Sequence, residues 1–218
     1  MLGPQSMGYD RSPLMYSPEG RIIQTEYARE SVRRGSIAIG IKSKHGVILA
    51  GLLRVVDLNE PDLKIHKISN TIQAIFAGVA ADGRILISRA RLEAEIFQLT
   101  YAVPIDVRGL AVKTGDYVQM FTQQGGLRPF GVGMLYGGLD ETGPSLQFVD
   151  PGGGVVSCKA KAMGEGDSEA IAYLKEKYSD ELTTDEMIQI AKEAIHKAAR
   201  DVELTDDNIA IEIMPHKA

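Results

Sequence analysis

The chain has 218 residues, 44% hydrophobic and 24% charged, enough for one large domain with a sizeable core. Its net charge of -5 excludes the broad basic surface that binding to phosphate backbones requires, so nucleic acid is not an expected partner. MLGPQSMGYDRSP lacks the basic cap and apolar run of a secretory signal, and no apolar stretch approaches the roughly 20 residues of a membrane span, so a cytoplasmic protein without membrane contact is expected.

In chain order, residues 1–11 show no periodicity and read as a mobile arm, and Ser17-Pro18-Glu19-Gly20 reads as a turn. A helix is predicted over 20–34, with Ile22, Ile23, Tyr27 and Val32 on its inner side and Gly35 stopping it. SIAIGIK (36–42) and GVILAGLL (46–53) predict a hairpin whose second strand is too apolar to be wetted on one face. Strands are predicted at 64–69 and 71–78 around Asn70, then helices at about 80–100 and 105–124 separated by Pro104. Further strands follow at 130–139, 145–150 and 153–160, then helices at 167–178 and 184–201, the latter capped by Thr184, and a closing strand at 208–214. Strands, two helices, strands, two helices and a strand are not the alternation of a parallel sheet. The order suits an α+β fold in which two antiparallel sheets pack face to face with helices outside, an α-β-β-α sandwich. Residues 1–19 are expected to be a flexible segment and turn, and 20–218 a single domain carrying an extra N-terminal helix.

The lone Cys158 cannot form an internal disulfide and sits in a strand-like setting, VVSCKA. His45, His66, His196 and His216 are scattered, no Cys/His cluster has metal-ligand spacing, and no phosphate-loop glycine pattern occurs. Neither metal nor cofactor is expected.

Several ordered strings carry more information. Tyr9-Asp10-Arg11, Tyr16, Ser17-Pro18-Glu19-Gly20-Arg21, Gln24-Thr25-Glu26-Tyr27-Ala28-Arg29 and Arg34-Gly35-Ser36 resemble the N-terminal signature of proteasome α subunits of the archaeal type. Gly78-Val79-Ala80-Ala81-Asp82-Gly83-Arg84, Thr122-Gln123, Gly125-Gly126, Arg128-Pro129-Phe130-Gly131-Val132, Asp140, Gly143-Pro144, Asp150-Pro151 and Gly164-Glu165-Gly166 extend the resemblance over essentially the whole chain. It implies the N-terminal-nucleophile hydrolase fold and a non-catalytic subunit of the 20S core particle. Such a subunit forms a homo-heptameric outer ring on proteasome β subunits, gates entry of unfolded proteins, and docks the tails of a regulatory ATPase or activator ring.

The resemblance assigns tail docking to Lys67, with Gly35 and Val79 lining the pocket and Glu26 and Arg29 on its helix wall. An ammonium at a groove rim suits a terminal carboxylate, and the bare Gly35 permits close backbone approach. It assigns Tyr9, Asp10, Arg11, Pro18 and Tyr27 to the gate. One rival is an active peptidase. Matched on the first strand of β subunits, which cut with a terminal threonine helped by an acid and a lysine, Ser36 falls at the nucleophile after a cleavable Gly35-Ser36 bond. The acid's place then falls on Leu52, beside Leu53, which cannot supply a carboxylate. A second rival is a ring scaffold independent of any protease. The sequence departs from the family over Leu52–Leu63, in a short-looking loop at Asn70, and in lacking the charged C-terminal helix after Ala218.

Overall fold

The computed structural model describes residues 14–53, 63–199, 205 and 208–216. After the turn at Ser17–Gly20 and an antiparallel bridge from Tyr16 to Ile22, α1 runs over Ile23–Arg33. It buries Ile23, Thr25, Ala28 and Val32, whereas Tyr27, expected inward, is 38% exposed. Ile22 is still extended in its bridge to Tyr16, so the helix starts three residues later than periodicity suggests, and Ala28, not Tyr27, lies against the core.

β1 (Ala38–Ser43) and β2 (Gly46–Leu52) form the expected hairpin. β3 (Ile65–Lys67), β4 (Ile72–Gly78), α2 (Ala80–Tyr101) and α3 (Val107–Gln123) follow, then β5 (Val132–Asp140), β6 (Gly143–Val149), β7 (Val155–Ser157) and β8 (Ala160–Met163). α4 (Asp167–Lys177), α5 (Thr184–Ala198) and β9 (Ile209–Pro215) complete the described fold. One antiparallel sheet has the order β8-β1-β2-β9 and the other β3-β4-β5-β6-β7.

The two faces of β2 explain its uninterrupted apolar sequence. Val47 and Leu49 meet Ile75, Leu135 and Leu146 between the sheets, while Ile48, Ala50 and Leu52 pack with Met187, Ala191 and Ile195 of α5. A strand covered on both sides has no position for a polar residue, and every residue of β2 is buried. α2 and α3 cover the second sheet through Leu86, Ala90, Leu110 and Val118, which cluster with Tyr136 of β5. The result is the expected α-β-β-α sandwich, with α1 added across the ends of β4 and β5.

Two expectations change. The single strand predicted at 153–160 is two strands in different sheets: β7 pairs with β6 and β8 with β1. The switch occurs at Cys158 and Lys159, where Cys158 N donates to Leu146 O and Lys159 O accepts from Lys42 N, each at 2.9 Å. Alternation of apolar residues continues across such a crossing and cannot reveal it. The cap of α5 is Thr183, not Thr184. Thr183 Oγ1 accepts from Glu186 N at 3.4 Å while Glu186 Oε2 accepts from Thr183 N at 2.8 Å, a reciprocal capping box that Thr184 is out of phase to make. Among the described residues no helix is long and apolar enough to cross a membrane.

Candidate functional site

The link between α1 and β1 threads through a narrow passage. A Cβ on Gly35 would stand 2.2 Å from Gly78 N, so only glycine allows the α1 end to lie against the end of β4. Gly78 itself has φ +123, and a Cβ there would meet Gly131 O at 2.2 Å. Val79, 38% exposed, donates its amide to Gly131 O at 2.9 Å and opens α2. Gly35 and Val79 are therefore brought together, as expected.

The lysine beside them is Lys64. Its ammonium donates to Ser36 O and to Phe76 O, both at 3.0 Å. Lys67 is exposed and paired with Gln73, five residues before Gly78, about 16 Å away along a strand rising roughly 3.3 Å per residue. Its carbonyl accepts from Arg91 Nε at 2.8 Å, and it lines a different groove with Asn70, Arg91, Glu95 and Gln98. The structure does not bring Lys67 to Gly35 and Val79.

Glu26 and Arg29 lie on another flank of α1. Ser31 faces Val79 and Gly131. Arg29, two residues away, is turned by about 200° around a helix of 3.6 residues per turn. Arg29 bridges Glu26 Oε1 at 2.5 Å and Asp150 Oδ2 at 2.8 Å, and Asp150 Oδ1 in turn accepts the amides of Gly152 and Gly154. Burial opposes its charge, but Asp150 and Glu26 outweigh that and hold the guanidinium above its ordinary value. Arg29 thus fastens α1 to the β6–β7 turn.

Ser36 Oγ donates to the Leu52 carbonyl at 2.5 Å. Leu52 is buried among Ile37, Ile39 and α5, so no carboxylate stands in the acid's place. A lysine is near, yet its ammonium is turned onto the backbone oxygen of Ser36. Among the described residues the hydroxyl has neither a base nor a charged orienting partner of the kind nucleophilic activation needs.

The exit from the site is clamped by Asp82, whose side chain is 9% exposed. Its Oδ2 accepts from Arg128 Nη1 at 2.6 Å and Gly131 N at 2.8 Å, and its Oδ1 accepts from Arg128 Nη2 at 2.7 Å. The Arg128 hydrogen bonds chiefly, then the Gly131 amide, hold this carboxyl below its ordinary value against the effect of burial. The unfolded chain then binds the proton more tightly than the folded one. The clamp's contribution is complete above about pH 4 and is lost as pH falls through the lowered folded value. Asp82→Asn should cost about 2–3 kcal/mol, seen as a lower Tm. The Tm gap to wild type should stay constant from about pH 5 to 8 and shrink below about 4. A gap independent of pH down to about 2 would show that the carboxylate is not what the clamp uses.

Of the gate residues, Pro18 lies in a turn held by Gly20 N donating to Ser17 O and Ser17 N to Arg21 O, both at 2.8 Å, and Tyr27 is exposed on α1. Tyr9, Asp10 and Arg11 lie outside the described residues, as do 54–62.

Two antiparallel sheets between helix pairs, with a glycine-threaded link at the position of a terminal nucleophile, define the N-terminal-nucleophile hydrolase architecture. The family model described as "Proteasome subunit" matches residues 32–214, and the model of the α-type N-terminal signature of proteasome subunits matches 9–30. Similar curated proteins are named as proteasome alpha subunits. That of Methanopyrus kandleri is 42% identical over 97% of this chain and 87% of the relative. That of Thermococcus sibiricus is 46% identical over 89% and 75%, and that of Archaeoglobus fulgidus 45% over 94% and 84%. The chain belongs to the proteasome subunit family and carries the N-terminal signature of its α class.

Proposed function

We propose that the chain is the non-catalytic, outer-ring α-type subunit of a 20S proteasome core particle in the cytoplasm. Copies of it form a homo-heptameric ring on a ring of β subunits, and threonine-type proteolysis belongs to the β subunits. The segment before α1, with Tyr9, Asp10, Arg11 and Pro18, together with Tyr27 of α1, gates the entry of unfolded proteins. The C-terminal carboxylate of a regulatory ATPase or activator tail docks at Lys64, between Gly35 and Val79. Nucleic acid and membrane are not partners.

The observation that carries this reading is the chemistry at Ser36: a hydroxyl spent on the Leu52 carbonyl and an ammonium held beside the link, not at the hydroxyl. That arrangement suits a carboxylate-binding pocket and not a peptidase. Docking on the β ring is supported by the outer side of α2, where Leu92, Ile96 and Leu99 recur at helical spacing and are 48–77% exposed. The gate is supported by the position of the Pro18 turn directly before α1.

The peptidase rival has one point in its favour, the proximity of Lys64 to Ser36, and intact mass decides it. The purified chain should retain the residues before Ser36 and hydrolyse no fluorogenic peptide by itself. A mature chain beginning at Ser36 would overturn the assignment.

A further inference from the structure

Tail docking at Lys64 leaves a second lysine of the same strand unused. Lys64 runs over Gly51, where a Cβ would stand 2.9 Å from its Cε, whereas Lys67, an odd number of residues further along, faces the other side and lines the groove beside α2. Among the described residues the Lys67 ammonium has no hydrogen-bond or ion-pair partner. Arg91 forms the facing wall, and its Nε donates to Lys67 O at 2.8 Å. Two turns of α2 carry an arginine with a glutamate four residues on, and they behave differently. Arg89 pairs with Glu93 at 2.6 Å. Arg91 makes no ion pair with Glu95 among the described residues, its guanidinium being held on the Lys67 carbonyl instead. Two exposed, unpaired cations therefore border a groove of about 380 Å³, which Asn70 and Gln98 line with amide groups and Glu95 with a single carboxylate.

We propose that this groove receives an acidic side chain, Asp or Glu, of the proteasome β subunit and so fixes how the α chain is seated on the β ring. This rests on the outer-ring reading above. Arg91 and Glu95 directly precede Leu92 and Ile96, so the groove and the apolar stripe proposed to meet the β ring lie about 100° apart around α2. A partner that covers the stripe passes over the groove's rim. With two positive groups against one negative, the groove favours a carboxylate, and an arginine fork already held through its Nε loses little freedom on binding one. The apolar stripe supplies the bulk of the affinity, and the charge pair supplies register and partner choice.

The test uses the full α chain co-assembled with a proteasome β subunit. A carbodiimide, which joins an ammonium and a carboxylate in contact into an amide, is added to the wild-type particle, and the linked peptides are read by mass spectrometry. Lys67 should be linked to an Asp or Glu of the β subunit. Lys67 linked only within or between α chains, or to nothing, overturns the proposal. Lys67→Gln with Arg91→Gln should leave the α ring intact in native mass spectrometry. The same double variant should raise the β concentration for half-assembly about thirtyfold and flatten its dependence on salt between about 50 and 500 mM. Lys67→Ala alone keeps the arginine fork and should raise that concentration only about threefold, so the particle still forms. Unchanged half-assembly and salt dependence in the double variant overturn the proposal while the outer-ring reading stands. Loss of the α ring itself in that variant would place the groove between α chains and overturn it as well. If the wild-type chain takes up no β subunit, the outer-ring reading and the groove fall together.

Discussion

Lys64→Ala abolishes stimulation of peptide turnover by an activator's C-terminal tail, whereas Lys67→Ala leaves it intact. In the proposed docking the tail carboxylate would be partly desolvated against Gly35, Val79 and the end of β4, and the ammonium is the charge that would make this tolerable. Removing one partner of such a pair typically costs about 2–5 kcal/mol, a thirtyfold or greater loss of affinity. Lys64→Arg rescues only partly, because a planar fork cannot reach both the Ser36 and Phe76 carbonyls and a carboxylate as a compact ammonium can. Lys67, some three strand residues further along and facing the Arg91 groove, is too distant to contribute. A tail-peptide titration at fixed salt checks both variants. Loss of affinity in Lys67→Ala with Lys64→Ala unaffected would return the site to Lys67.

The second large effect is on assembly. Ile96→Glu with Leu99→Glu leaves the chain folded, since these side chains are 48% and 77% exposed and surface substitutions cost about 0.5 kcal/mol or less. The same change places two carboxylates in the face proposed to meet the β ring, where each lacks a partner and must be desolvated. At several kcal/mol per buried charge, association weakens by about a thousandfold or more, and no core particle co-purifies. Unchanged recovery of the complete particle from co-expression would remove the outer face of α2 from the interface.

The sandwich was legible because its signals are local and periodic. β2 reads as one apolar run since both its faces are covered, and the helix pairs read at helical spacing between Gly and Pro breaks. What escaped was decided by long-range pairing. The crossing at Cys158 and Lys159 depends on which strand pairs with each backbone group, and the start of α1 follows the Tyr16–Ile22 bridge. The site shows the same division. Gly35 and Val79 were identified from their strings and stand together, but KIHKI contains two Lys-Ile steps, Lys64-Ile65 and Lys67-Ile68. A local match cannot choose between them. Only the register of β3 on β4, fixed by Ile65 opposite Ile75, and the path over Gly51 place Lys64 at the Ser36 carbonyl. The resemblance groups Glu26 and Arg29 with the pocket, whereas helix rotation carries Arg29, paired with Glu26, to Asp150.

The claim that this chain is a non-catalytic outer-ring subunit is tested most directly by native mass spectrometry of the chain alone and co-expressed with a proteasome β subunit. A homo-heptameric ring is expected in the first sample. In the second, a complete core particle is expected whose peptidase activity resides in the β subunits and whose α chains keep the residues before Ser36. A strictly monomeric chain at micromolar concentration that takes up no β subunit, or α chains trimmed to begin at Ser36, would contradict it.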